Sequence, residues 1–204
     1  MPNAAWLVDM GYVVKTAGKG RFKIDYAAAR AVLAERFGPT IDAGPADARW
    51  ADAGEPTDGA GPAGGSTSNE VPGSSVRTFL FNGYDEAYGI PPGLQGFYAA
   101  MRHLGMTVCL HPMGGAASAG DHRQRRVDVD LAAHLVWQAS RPDVDVVVVT
   151  TGDQDFLPAV KIAKEQFGKR VVVFSFDHSV SHALLEAAGE RLLFEDFEER
   201  VSKR

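Results

Sequence analysis

Short apolar runs alternate with helical patterns through most of the 204-residue chain. Strands are predicted over 4–8, 76–81, 106–111, 144–150, 170–176 and 192–194, and helices over 26–37, 93–105, 128–140, 156–168 and 180–188. The nearly all-valine run at 144–150 is typical of a strand buried on both faces. Repeated strand–helix–strand units imply parallel pairing with right-handed crossovers, so we expect an α/β fold: a three-layer α/β/α sandwich with a mainly parallel central sheet.

Two stretches interrupt this alternation. The segment after Asp9 is predicted to be a loop with scattered basic residues, namely Lys15, Lys19, Arg21 and Lys23. Residues 39–75 are dominated by Gly, Pro, Ala, Ser, Thr and Asp, with Trp50 as the only large anchor. So few apolar groups cannot offset the entropy of ordering, which predicts a flexible insertion. We therefore expect a single domain over 1–204 that carries an insertion at 39–75.

Composition narrows the class of protein. Hydrophobic residues make up 45% of the chain and charged residues 23%, as in globular proteins. Because the formal net charge is -5, any nucleic acid must meet a local basic patch or metal ions held by carboxylates. Cys109 is the only cysteine, which excludes an intrachain disulfide and a cysteine-rich zinc site. Without a signal-peptide pattern or a long apolar window, we expect a cytoplasmic protein and no membrane partner.

Acidic residues follow three of the predicted strands. Asp9 ends the first strand, Asp153 and Asp155 follow the valine strand, and Asp128 and Asp130 open a helix after a strand and a loop. Ligands of parallel sheets bind outside the carboxyl ends of the strands, so these carboxylates should meet at one edge. Converging carboxylates repel each other unless a cation or proton intervenes, and all-oxygen clusters suit Mg²⁺ or Mn²⁺. Phosphoryl transfer is the chemistry that such a site performs best.

Each acid also has an ordinary structural explanation. Asp128, Asp130 and Asp155 stand where helix caps belong, and Asp153 after a glycine is a common turn residue. Asp9 has no obvious local partner at the end of its strand. Taken together, acids from three segments at one edge favour a functional cluster over coincidence.

Three motifs carry a resemblance to a known family. An apolar strand that ends in Asp9, then VDVDLA (127–132) and TGDQDF (151–156), resemble the NYN branch of the PIN-like nucleases, whose folds are Rossmannoid; the LabA-like bacterial proteins look most similar. The resemblance covers nearly the whole chain except the insertion. It implies metal-dependent RNA cleavage, with Asp9, Asp128, Asp153 and Asp155 as catalytic and metal-binding residues and Mg²⁺ or Mn²⁺ as cofactor.

The chain departs from this family pattern at two places. Many relatives have Asn or Glu-Asn soon after the first Asp, whereas Met10, Gly11 and Tyr12 stand here. Relatives often have an acid at the position of His134. Both changes leave the acidic core intact and bear on metal occupancy and rate.

Candidate substrate-binding residues lie near the same edge. The resemblance implies that Thr151 supports the site through its hydroxyl. The basic loop 122–126 precedes Asp128, and its arginines suit bidentate phosphate contacts. Tyr12 or Tyr84 would stack a base of single-stranded RNA, and Asn82, Tyr84 and Asp85 follow the second predicted strand. The substrate-binding candidates are Thr151, Arg123, Arg125, Arg126, Tyr12 and Asn82.

Three functions stay open from the sequence. The leading hypothesis is a Mg²⁺- or Mn²⁺-dependent endoribonuclease that acts on single-stranded or loop RNA. The second is a catalytically weak or inactive regulatory protein that keeps the fold and binds RNA or a protein partner. The third, a metal-dependent phosphatase, ranks last because no D-x-D-x-T pattern follows the first strand. Neither a dinucleotide fingerprint nor a P-loop motif is present. A homodimer is also compatible with the pattern.

Overall fold

A computed structural model of the chain describes residues 3–17, 23–37, 76–113 and 125–203. The insertion predicted at 39–75 lies outside these ranges, as do Lys19, Arg21 and Arg123. No helix within them is both long enough and apolar enough to cross a bilayer.

The described ranges contain short helices and strands in alternation. The strands are β1 (Ala4–Asp9), β2 (Lys23–Ile24), β3 (Val76–Asp85), β4 (Thr107–Met113), β5 (Val146–Thr150), β6 (Arg170–Ser175), β7 (Arg191–Leu193) and β8 (Ser202–Lys203). The helices are α1 (Met10–Ala17), α2 (Tyr26–Phe37), α3 (Pro92–His103), α4 (Arg125–Ser140), α5 (Leu157–Lys161), α6 (His182–Ala188) and α7 (Glu198–Val201). A 3₁₀ turn at Gln154–Phe156 precedes α5, and a π-helical turn at Ile162–Gln166 continues it.

Six of these strands form one sheet in the order β4-β3-β1-β5-β6-β7. All neighbouring strands in it are parallel. The register places Asp9 of β1 opposite Phe81 of β3, and Val8 opposite Thr150 of β5. The carboxyl ends of the central strands therefore reach the same edge, as the sequence predicted.

Helices cover both faces of the sheet. One face packs against α1, α2, α3 and α7 through a core that includes Trp6 and Phe174. The other packs against α4, α5 and α6 through a core that includes Phe79 and Leu131. Val147, Val148 and Val149 of β5 alternate between the two cores and are fully buried. The prediction of a three-layer α/β/α sandwich is confirmed.

The amino ends of the strands are joined by polar contacts. The Asn3 N–H donates to Asp145 Oδ2 at 2.8 Å, which links the start of β1 to the segment before β5. Buried Arg77 of β3 forms an ion pair with Asp143, which also accepts from Arg141 at 3.1 Å. These bonds hold the pKa of Asp143 far below its ordinary value. An ion pair that holds a buried guanidinium is costly to break, because the charge left behind is poorly solvated.

The main difference from the predicted elements is helix α1, where the sequence predicted a loop. Met10 and Val13 lie one turn apart and are buried against the sheet. The Tyr12 N–H donates to Asp9 Oδ1 at 2.9 Å, so the last residue of β1 caps the helix that follows it. The expectation that Asp9 has no local partner was wrong.

Helix boundaries also differ from those predicted. Helix α4 begins at Arg125, so Asp128 lies within its first turn and is not its N-cap. Helix α6 begins at His182, two residues later than expected, with Ser181 at the N-cap position.

Candidate active site

Acidic side chains gather at the carboxyl edge of the sheet. Asp9 ends β1, Asp153 and Asp155 follow β5, and Asp128 lies in the first turn of α4. Burial, together with the negative charges of Asp9, Asp153 and Asp155, raises the pKa of Asp128 to about 6. The four acids therefore lie within electrostatic reach of one another, and the structure brings together the set that the sequence singled out.

Asp9 is the most constrained of these acids, since it is 3% exposed. Its Oδ1 accepts the Tyr12 N–H, and its Oδ2 accepts the Thr151 hydroxyl at 3.3 Å. Burial raises the pKa of Asp9, and these hydrogen bonds only partly oppose that rise. Asp153 adds to it by charge repulsion. The carboxylate is thus held in a fixed orientation from two sides.

Thr151 connects two of the acidic segments. Its hydroxyl donates to Asp9 Oδ2 and accepts the Asp153 N–H, each at 3.3 Å. The residue is fully buried, so it does not reach a substrate directly. Its contribution is to fix the end of β1 relative to the turn after β5.

The turn after β5 presents two exposed carboxylates. Asp153 caps the 3₁₀ turn, with its Oδ1 accepting the Asp155 N–H at 2.9 Å. Phe156 anchors this turn in the core beneath it. Both Asp153 and Asp155 face solvent, so they remain accessible to a ligand at the edge.

The residues fit a divalent cation. The donors are oxygens, which Mg²⁺ and Mn²⁺ prefer, and the charges of Asp9, Asp153 and Asp155 all raise the pKa of Asp128, as expected where like charges meet. Within the described ranges, however, no three Asp, Glu, His or Cys side chains are arranged so that together they could hold a metal ion. A hydrated cation that rests on one or two carboxylates is compatible with both observations.

The raised pKa of Asp128 predicts a pH-dependent loss of stability. Its ordinary pKa is 3.8 and its folded value about 6, so the folded state binds the extra proton between them. This group therefore destabilises the fold increasingly as pH rises from about 4 through about 6. In EDTA, Asp128→Asn should raise the melting temperature by a few degrees at about pH 7.5, and less at about pH 4.5. Differential scanning calorimetry of both proteins tests this; an equal change at both pH values would contradict it.

Asp130 pairs with two histidines, His111 and His134. Its Oδ2 lies 2.8 Å from His111 Nε2 on β4, and its Oδ1 lies 3.0 Å from His134 Nδ1. Burial raises the pKa of Asp130, but His134 and His111 outweigh that effect and lower it. Neither sequence interpretation of Asp130, a further metal ligand or a helix cap, matches this pairing. His134 is itself buried against Phe79 and Phe81.

A cleft of about 860 Å³ adjoins the acids. We define it by the lining residues Asp9, Gly11, Tyr12, Lys15, Thr16, Ala17, Thr151, Gly152, Asp153, Gln154, Phe176, His178, Ser179, Val180, Ser181 and Glu195. The 178–181 segment packs closely against Gly152, which directly precedes Asp153. The Ser181 N–H donates to the Gly152 carbonyl at 2.9 Å, and a Cβ on Gly152 would stand 1.8 Å from the Ser179 carbonyl oxygen.

Three of the candidate substrate-binding residues lie in different parts of the structure. Tyr12 lines the cleft, but its hydroxyl is engaged by Ser179 Oγ at 2.7 Å and the Phe176 N–H at 3.0 Å. Asn82 is not among the cleft residues, and its amide donates to the Tyr98 hydroxyl at 2.6 Å. Arg126 is exposed in the first turn of α4, which begins at Arg125.

Sequence reasoning missed the far wall of the cleft. His178, Ser179 and Ser181 lie in FDHSVS (176–181), directly after β6. The rule that placed acids at strand ends would have placed these polar residues at the same edge. Gly152 was missed as well, although a glycine between Thr151 and Asp153 at a strand end is typical of a close backbone approach.

Comparisons with known proteins support the fold and identify the family of the chain. A protein of unknown function from Vibrio parahaemolyticus has a similar solved structure, with a TM-score of 0.65, 19% identity, and coverage of 96% of this chain and 94% of that one. An uncharacterized protein of Methanocaldococcus jannaschii is 39% identical over 71 residues, which are 35% of this chain and 27% of that relative's length. Residues 76–194, more than half of the chain, match the NYN domain. The chain therefore belongs to the NYN domain family.

Proposed function

We propose that this protein is a Mg²⁺- or Mn²⁺-dependent endoribonuclease that hydrolyses phosphodiester bonds in single-stranded RNA. The observation that carries the proposal is the gathering of Asp9, Asp128, Asp153 and Asp155 from three segments, with the pKa of Asp128 raised by burial and by the other acids. Membership of the NYN family, and hence of the PIN-like nuclease superfamily, supports it. A finer placement beside the LabA-like bacterial proteins rests on the three sequence motifs alone.

In this proposal each acid has a defined role. Asp9, Asp128 and Asp153 hold the cation, and Asp155 completes the site or positions the attacking water. A bound divalent cation supplies polarisation of the phosphate, activation of water and stabilisation of the leaving oxygen. Thr151 and the Tyr12 N–H keep the Asp9 carboxylate oriented, so that it does not have to reorganise when substrate binds.

The proposal is tested by cleavage of a labelled, unstructured RNA with Mn²⁺ or Mg²⁺. We expect Asp153→Asn to lower the rate by about 100-fold or more, and EDTA to abolish cleavage. Glu165→Gln, the same carboxylate-to-amide change at an exposed position outside the cleft, is the matched control and should be neutral. Cleavage that survives in Asp153→Asn sinks the proposed role of this residue.

A non-catalytic regulatory protein that binds RNA or a partner protein is the second candidate. It is favoured by the absence, within the described ranges, of three donors arranged to hold a metal ion together. It predicts no cleavage with either metal, and RNA binding that is insensitive to EDTA and to Asp153→Asn. The same protein preparations therefore separate the two candidates, by gel-resolved cleavage and by fluorescence anisotropy of bound RNA.

A further inference from the structure

The cleft lies to one side of the acidic cluster. Asp9 and Asp153 line it, whereas Asp128 and Asp155 do not. It therefore extends away from α4, between the α1 wall and the 178–181 wall. Its volume of about 860 Å³ lies within the roughly 300–1,000 Å³ of sites that enclose a drug-sized ligand, so it has room for more than a single phosphate group.

Most polar side chains of the cleft are already committed to internal contacts. The Tyr12 and Ser179 hydroxyls bond each other, and Glu195 accepts the Asp177 N–H at 3.1 Å. The Lys15 ammonium is different. It is exposed, and in the part of the chain that the structure describes it has no hydrogen-bond or ion-pair partner.

The charges of the cleft are unevenly distributed. Asp9, Asp153 and Glu195 contribute carboxylates, and Lys15 is the one permanently cationic side chain among the described residues that line it. An anionic ligand is repelled by the three carboxylates. The fixed charge of Lys15 therefore marks the place in the cleft where an anion is most favourable.

Lys15 lies further along helix α1 than Asp9, which directly precedes the helix. Helix α1 begins at Met10, directly after Asp9, and Lys15 lies five residues further along. At the rise of an α-helix, this separates the Lys15 backbone from the helix start by about 8 Å. This spacing leaves room for Lys15 to meet a different phosphate of the strand from the one at the acids.

We propose that the cleft is a subsite for the nucleotide next to the scissile phosphate, and that Lys15 pairs with the neighbouring phosphate of the RNA strand. This inference rests on the proposed ribonuclease function and adds a specificity-determining residue to it. Lys15 fixes the register of the strand, so that the scissile phosphate arrives at the carboxylates. His178, which is 78% exposed on the opposite wall, stands where the base of this nucleotide would stack.

The test is RNA binding in EDTA, which prevents metal-dependent cleavage. The dissociation constant of a labelled single-stranded decanucleotide is measured by anisotropy over a range of salt concentrations. Lys15→Met should weaken binding about threefold to tenfold at low salt and should reduce the slope of log affinity against log salt by about 0.7, the value of one lost phosphate contact on a single strand. Lys161→Met, at an exposed position outside the cleft, is the control and should change neither.

The outcomes test the Lys15 subsite and the ribonuclease proposal separately. Lys15→Met that behaves like Lys161→Met overturns the subsite and leaves the ribonuclease proposal standing. Wild-type protein that binds no RNA in EDTA overturns the Lys15 subsite, whereas the ribonuclease proposal is judged by the cleavage assay with Mn²⁺ or Mg²⁺. Lys15-dependent binding without any metal-dependent cleavage overturns the ribonuclease and leaves Lys15 as a phosphate contact of an RNA-binding protein. In an active enzyme, a dinucleotide that carries only the scissile phosphate should be cleaved equally by wild type and Lys15→Met; a loss there would assign Lys15 to the scissile phosphate and contradict the subsite.

Discussion

Asp9→Asn should lower metal-dependent RNA cleavage by about 100-fold or more, while the free energy of unfolding changes by less than about 1 kcal/mol. An asparagine still offers an oxygen to the Tyr12 N–H, and Asn caps helices as well as Asp does. The negative charge is lost, and the Thr151 hydroxyl must turn to accept from the new amide instead of donating to Oδ2. The substitution therefore separates the cap of α1 from the proposed metal ligand, two roles that the same carboxylate combines.

The measurement pairs cleavage rates with urea denaturation. Asp9→Ala serves as the comparison, because it removes the charge and the cap together and should cost about 0.5–2 kcal/mol in addition to activity. Full activity in Asp9→Asn would show that Asp9 is a structural cap alone. A large loss of stability in Asp9→Asn would show that the hydrogen bonds around it depend on its charge.

Gly152→Ala should be the most damaging small substitution at the site. The added Cβ would lie 1.8 Å from the Ser179 carbonyl oxygen and 2.7 Å from Tyr12 Cε2, so the backbone must move. Overpacking of this kind costs about 1–3 kcal/mol. Because Asp153 follows directly, a displacement of about 1 Å should also lower cleavage by about 100-fold.

The matched control is Gly96→Ala, at an exposed position of α3 where a Cβ would meet nothing within 4 Å. This change should be neutral or should stabilise the helix by about 0.5–1 kcal/mol. Urea denaturation and the cleavage assay applied to both variants give the comparison. If Gly152→Ala matches Gly96→Ala in both assays, the close approach of the 178–181 wall does not constrain the site.

The sheet could be predicted because its signal is local. The run 146–149 has no polar position, which is typical of a strand covered on both faces, and β5 is indeed buried throughout. Asp153 and Asp155 could be placed because a strand end fixes its next residues in space. Strand order and register depend on packing between distant segments, which periodicity does not encode.

Helix α1 could not be predicted from its own residues. It is short, and Gly11, Val13, Val14 and Thr16 have low helix propensity. Its stability comes from Asp9, which caps it, and from burial of Met10 against the sheet. Both contacts require the fold to exist first. The same reason hid the pairing of Asp130 with His111, whose strand forms one edge of the sheet.

The polar contacts around Arg77 and Asp145 lie at the edge of the sheet opposite the carboxylates. The polar contacts that hold the strands together and the candidate active site thus lie at opposite ends of the same strands. The acids can be exchanged, or the cleft reshaped, without touching the ion pair between Arg77 and Asp143. For a protein family, this division allows substrate preference to diverge while the ion pairs at the other end of the strands stay intact.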